Sequence, residues 1–345
     1  MRCVLYLLVL CIGIAVFSLP ARKSEPKDIW VQLQPEEGYL QAWNFRFSSD
    51  NLELFSTFLI SNFGPGQLNN GISLFLKPKK GEKFYSTQEF AEDDLSLSKE
   101  GFQVRAKENF WQEKSGIYYV HLVFPEWTVD LELVSEGNLG VSLTGGKHPL
   151  AVSNKFVQAD IPFSATKAKL TLTNEKGDAQ IFFGKGGIEH ILTNQEVYSY
   201  SKRWELFRAI DKNGIRIFGG GFLGKKSSDP DYRKVVVVSK SGKVLLDAVV
   251  EKNDILAIEV EPVSNYTLPR KEKLWLSSKC SIIVERNIPI AGISALENIS
   301  TILRYLIGIF FAKPFQIHNE VEIQSECESW SGIAKGLHSY YLINE

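Results

Sequence analysis

The strongest constraint on this chain is a period of two that recurs through short segments, with turn residues rather than long helical patterns between most of them. In Gln41 to Phe47, Trp43, Phe45 and Phe47 alternate with Asn44 and Arg46. That is the pattern of a half-buried β-strand, because successive side chains on a strand point to opposite faces. Phe102, Val104 and Ala106 alternate with Gln103, Arg105 and Lys107, and Trp127, Val129, Leu131 and Leu133 with Thr128, Asp130 and Glu132. Ala168, Leu170 and Leu172 oppose Lys169, Thr171 and Thr173. Leu52 to Ser61, Ile72 to Lys77, Ile117 to Phe124 and Ala179 to Phe183 read as further strands. Short links suit antiparallel neighbours, whereas parallel pairs need long crossovers. An all-β meander follows, and closing it into a barrel removes exposed edges.

The second half repeats the plan. Trp204 to Ile210, the Asn213-Gly214 turn and Ile215 to Phe218 follow the order strand, turn, strand seen in Trp43 to Ile60. Val235 to Val238, Val244 to Val250, Ile255 to Val260, Leu274 to Leu276 and Ile282 to Glu285 supply more strands. Each half also ends alike, since GKGGIEHIL at Gly184 to Leu192 can be set beside AKGLHSYYL at Ala334 to Leu342. An internal duplication is expected. At 345 residues the chain is long enough for roughly two domains. One segment departs from the pattern: Ser294 to Glu297 has capping-box spacing, and Leu296, Ile299, Leu303, Leu306 and Phe310 form an apolar stripe before Pro314. A short helix packed on a barrel is expected there, with a membrane-contacting or lid helix as the alternative.

The N-terminus has the layout of a signal peptide over residues 1–21: Arg2, an apolar run from Val4 to Phe17, then small residues and Pro20. The run is short of the ~20 residues that cross a bilayer. An exported protein, periplasmic or secreted, is expected. Removing the leader takes Cys3 and Cys11 with it and leaves Cys280 and Cys327, which either form one disulfide or remain separate buried thiols. Asn265 and Asn298 match the glycosylation acceptor rule, which matters only in a eukaryotic secretory path.

Several chemistries find no support. With 39 basic and 40 acidic residues and no basic run interleaved with aromatics, nucleic acid is not an expected partner. His121, His148, His190, His318 and His338 are scattered without ligand spacing, so no metal or other cofactor is expected. Gly219 to Gly224 matches neither a P-loop nor a dinucleotide fingerprint, and Asn138 to Ser142 is not a nucleophile elbow.

The densest chemistry lies in Phe182 to Arg208, where Gly184, Gly186 and Gly187 precede Glu189 and His190. The Trp43-Asn44-Phe45 opening, the Asn62 to Gly66 turn, the GKGGIEH join and the Trp204 restart resemble the bipartite-lipocalin superfamily. That superfamily includes carotenoid hydratase-like, tocopherol cyclase-like and survival-factor-like proteins. The resemblance implies two lipocalin-like antiparallel barrels in tandem, placed at 28–186 and 187–345. It differs from the family stretch in having Gly187 where an aromatic is common, Glu189 where Asp is common, and Leu192 where a tryptophan is common.

Two readings of Glu189 and His190 follow. In the structural one they stitch the barrels together. In the catalytic one Glu189, its acidity altered by burial, protonates an alkene while His190 orients it, and aromatic faces stabilise the cation. Adjacent residues on a regular strand point apart, so both enter one cavity only where the backbone is irregular. The expected function is binding of a hydrophobic small molecule, a lipid or isoprenoid, in or between the barrels, with Trp43, Asn62, Tyr198 and Trp204 as contacts. A hydratase or cyclase acting on such a molecule, and an interaction module without a ligand, are the alternatives. Peripheral membrane contact is a further expectation, and nothing in the sequence specifies the oligomeric state.

Overall fold

The computed structural model describes residues 22–62, 68–98, 101–135, 140–225, 231–294 and 315–342. The expected leader, the Phe63 to Gly66 part of the turn, the helix expected after Ser294 and Asn298 lie outside the described residues.

Alternating sequence becomes two antiparallel sheets. The first contains Leu40–Ser48 (β1), Leu52–Ser61 (β2), Asn69–Pro78 (β3) and Phe84–Phe90 (β4). Leu95–Leu97 (β5), Gln103–Ala106 (β6), Asn109–Lys114 (β7), Ile117–Val123 (β8) and Trp127–Val134 (β9) follow. The long strands Phe156–Asn174 (β10) and Ala179–Thr193 (β11) complete it. Their order is β4-β3-β2-β1-β11-β10-β9-β8-β7-β6-β5, with three two-residue strands off this path. The last strand thus pairs with the first, and the sheet curls into a nearly closed barrel.

The second sheet contains Ser201–Asp211 (β12), Arg216–Gly224 (β13), Tyr232–Val238 (β14), Val244–Val249 (β15) and Lys252–Val260 (β16). It ends with Thr267–Ser277 (β17), Cys280–Ser294 (β18), Phe315–Cys327 (β19) and Trp330–Leu342 (β20). Its order, β15-β14-β13-β12-β20-β19-β18-β17-β16, repeats the plan of the first: four strands in meander, then the final strand laid against the first. This sheet is a curled half-barrel. The matched GKG and AKG stretches lie on the two closing strands, Gly186 opposite Phe47 and Gly336 opposite Ala209. The first sheet runs through Thr193, so residues 187–193, placed by the sequence reading at the start of the second barrel, complete the first.

The glycines of the join serve close strand approach. A Cβ at Gly186 would lie 2.2 Å from the Leu133 side chain and 2.7 Å from the Arg46 carbonyl oxygen. Opposite them β10 carries irregular register on both sides of Phe163, and Ala165 takes a positive φ of 58°.

Inward residues form one core per barrel. Trp43, Phe45, Phe47, Phe58, Trp111, Leu131 and Ile188 belong to the first, and Phe207, Ile217, Val235, Leu274, Val284 and Ile323 to the second. A 3₁₀ turn at Pro26–Ile29 is tied into the first barrel. Trp43 Nε1 donates to the Ile29 carbonyl at 2.7 Å, Gln41 Nε2 to the Trp30 carbonyl at 2.8 Å, and Gln158 Nε2 to the Asp28 carbonyl at 3.3 Å. Ile29 is fully buried among the first barrel's core residues. The Pro26–Ile29 segment therefore acts as a strap across that core. Cys280 and Cys327 are joined by a disulfide, with Cα atoms 4.4 Å apart at the start of β18 and the end of β19.

Candidate functional site at the junction of the barrels

Alternation decides which side chains reach the second barrel. On β1, Trp43, Phe45 and Phe47 turn inward, so Asn44 and Arg46 turn outward. On β11, Ile188 and His190 turn inward and Glu189 outward. On β12, Phe207 and Ala209 enter the second core, leaving Arg208 to face the first barrel. These outward faces meet.

Two apolar contacts hold the barrels together. One packs Val157, Ala159 and Ile161 of β10 with Trp204, Leu206 and Phe222 of the second barrel. The other joins Phe55 and Phe75 to Ile290, Ile293 and Leu337. There the Phe55 ring stacks on His318, centroids 4.1 Å apart and planes at 11°.

A polar chain crosses the same junction. Thr57 Oγ1 donates to Asn44 Oδ1 at 2.7 Å, and Asn44 Nδ2 donates to the Tyr341 hydroxyl at 3.0 Å. The Tyr341 hydroxyl donates to Glu189 Oε2 at 3.0 Å, and Arg208 is ion-paired with Glu189 Oε1. Glu189 is 3% exposed and Arg208 7%. Burial, reinforced by Arg46, pushes the Arg208 guanidinium down to about 9, which leaves it charged at neutral pH. Burial pushes the Tyr341 hydroxyl up to about 12, so it is a neutral donor. Burial, with the Arg208 and Arg46 charges adding, holds His318 well below the usual imidazole range. The imidazole is therefore neutral, its Nδ1 2.9 Å from Ser339 Oγ. The cavity among these groups measures about 10 Å³, the space of a single water.

Chemically the junction is an acid–base set of one carboxylate, the two guanidinium groups of Arg46 and Arg208, one phenol and one neutral imidazole. The Arg208 guanidinium engages Glu189 Oε1, an arrangement that suits a stabiliser of positive charge. Donating a proton from Glu189 requires that pair to separate.

The residues singled out from sequence are dispersed. Glu189 lines the junction cavity. His190 lies in the first barrel, with Nδ1 3.1 Å from Asp160 Oδ2 and Nε2 2.8 Å from the Gln41 amide nitrogen. Glu189 and His190 therefore belong to different polar sets on opposite faces of β11. Trp43 lies beside His190 in the first core, ring centroids 5.7 Å apart. Asn62, just beyond β2, pairs its backbone N–H with the Tyr39 carbonyl at 2.8 Å. Tyr198 sits on the short helix Val197–Tyr200 (α1) between the barrels, 6.0 Å from Lys225 Nζ. Trp204 is in the apolar contact, 5.2 Å from Phe222.

Arg208, Tyr341, Asn44 and His318 were not singled out. Their sequence signal is a polar residue at an outward strand position, which solvated strands share. A second buried polar set also escaped notice, inside the second barrel. Arg233 Nη1 bridges Glu205 Oε1 at 2.9 Å and Glu272 Oε2 at 3.0 Å, and His338 Nε2 is 3.8 Å from Glu205 Oε2. Burial works to raise Glu205, but the Arg233 guanidinium outweighs it and holds this carboxyl well below the usual range. Burial, then the Glu205 charge, raises Glu272. This set is closely packed, and His338 is fully buried. Among the described residues no group of three or more His, Cys, Asp or Glu side chains is arranged to hold a metal ion.

No family model matches the chain, and no curated protein matches it in sequence. Solved structures do match it in fold. The AttH-like protein NE1406 of Nitrosomonas europaea aligns over 93% of this chain and 98% of its own, with a TM-score of 0.66 and 9% identity. CghA, solved with Sch210972, aligns over 96% of each chain at a TM-score of 0.61 and 10% identity. Kievitone hydratase of Nectria haematococca aligns over 89% of each chain at a TM-score of 0.55 and 11% identity. The chain therefore shares the fold of these proteins, lipocalin-like β-barrels in tandem.

Proposed function

We propose that the protein binds a hydrophobic small molecule of lipid or isoprenoid type at the junction of its barrels. The observation that carries this reading is the mixed wall there, where Phe55 and His318 stack beside the Glu189, Tyr341 and Arg208 set. Ligand sites combine apolar surface with a few placed polar groups and form preferentially between domains. The first barrel is less suited, because the Pro26–Ile29 strap is bound into its core. The single-water space at the junction means that entry separates the barrel faces, with the ligand replacing part of the Phe55 and Ile293 contact. An exported location and peripheral membrane contact accord with this reading, since such a carrier collects its ligand from a membrane surface. The test is mass spectrometry of organic extracts of the purified chain: a stoichiometric apolar compound supports binding, and its absence after gentle purification contradicts it.

A hydratase or cyclase is the second reading. The Tyr341 hydrogen bond to a carboxylate paired with Arg208 favours it, and a hydratase shares the fold. Glu189→Gln separates the two, since catalysis predicts lost turnover at nearly unchanged affinity and binding alone predicts no turnover in either protein.

A further inference from the structure

The outer face of the first barrel carries a groove that shares no lining residue with the junction. Outward positions on five neighbouring strands fall into two rows. One runs Phe110, His121, Asp130, Thr171, Ile181 from β7 to β11. The other runs Gln112, Tyr119, Glu132, Lys169, Phe183. Neighbours within a row are about 5 Å apart, and the rows are about 7 Å apart along the strands. The groove among the members of these rows on β7 to β10 has a volume of about 340 Å³, and Ile181 and Phe183 flank it on β11. That volume falls within the roughly 300–1,000 Å³ of small-molecule sites.

Two features set this face apart from an ordinary solvated sheet. At the β11 end Phe183 is 75% exposed and Ile181 57%, and leaving such side chains in water opposes folding. Polar groups are also paired across the face. His121 Nδ1 is 2.6 Å from Asp130 Oδ1, and Lys169 Nζ is 2.8 Å from Glu132 Oε1. Each pair engages one carboxylate oxygen.

This combination selects the ligand class. Two carboxylates face one ammonium, so a phosphate-rich ligand gains little. Carboxylate oxygens, the Gln112 amide and the Thr171 hydroxyl offer both acceptors and donors, which a molecule with several neutral hydroxyls satisfies. Flat aromatic rings favour a ligand that also has an apolar C–H face. We propose that this face binds a neutral saccharide. One sugar ring lies against Tyr119 in the groove and a second reaches Phe183 on the flanking strand, and their hydroxyls bond to Asp130, Glu132 and Gln112.

The experiment is isothermal titration of the whole chain with cellotetraose, maltotetraose and chitotetraose, and with a sulfated tetrasaccharide for comparison. At least one neutral sugar should bind saturably at micromolar to millimolar dissociation constants. Tyr119→Ala and Asp130→Asn, at outward positions, should each weaken it tenfold or more, with thermal unfolding measured to confirm the fold. Absence of saturable binding of all three neutral sugars, binding confined to the sulfated one, or binding that survives both substitutions would overturn the proposal.

Discussion

Replacing Arg208 by methionine keeps most of the side-chain stem but removes the guanidinium that faces Glu189. The carboxylate is then buried with one remaining donor, the Tyr341 hydroxyl at 3.0 Å. Removing one partner of a buried ion pair costs about 3–5 kcal/mol, because the other charge stays desolvated. The retained Tyr341 bond and the space of one water offset part of this, so a loss near 3 kcal/mol is expected. Glu189→Gln in the same background removes the stranded charge, and the double variant should recover about 2 kcal/mol of the single loss. Urea unfolding of wild type, both single variants and the double variant completes the cycle. A loss below about 1 kcal/mol for Arg208→Met, or costs that simply add in the double variant, would refute a buried and coupled pair at the junction.

Three further outcomes test other parts of the structure. Ile29→Ala, at the tip of the strap, should cost about 2–5 kcal/mol, and a urea midpoint equal to wild type would show that the strap is not part of the core. Burial lowers the folded-state pKa of His318 and His338, so below about 6.5 the unfolded chain takes up protons that the native chain refuses. Stability should therefore fall as pH drops from about 6.5 to 5, by up to about 1.4 kcal/mol per pH unit for each histidine. His318→Gln should flatten that slope in urea unfolding, and an unchanged slope would contradict a neutral buried imidazole. Replacing Cys280 and Cys327 together by serine opens a link across a sequence separation of 47, and loop-closure entropy puts the loss at about 4 kcal/mol. Thermal unfolding indistinguishable from wild type would contradict that contribution.

Much of the fold was legible because the strand period is two. Trp43, Phe45 and Phe47 had to share a face, Glu189 and His190 had to part, and both halves had to end on related closing strands. The junction was not legible, since Asn44, Arg208 and Tyr341 occupy outward positions that usually meet water. Only the docking of the barrels buries them together. The charged set in the second barrel did leave a trace. Glu205 shares the inward parity of Phe207 and Ala209, yet charge is ordinarily expected outside, and Arg233 and Glu272 join it only through the curl of the sheet. The strap left no periodic trace: its segment is held by side chains from β1 and β10 bonding to its backbone carbonyls, which no hydrophobic pattern records.

The central claim is that the seam between the barrels is a ligand site, and the most direct measurement is native mass spectrometry of the gently purified chain followed by organic extraction. One apolar molecule bound per chain, lost in a Phe55→Asp variant that remains folded, is the predicted result. A wild-type chain that carries no such molecule, or one whose ligand is retained unchanged by Phe55→Asp, would contradict it.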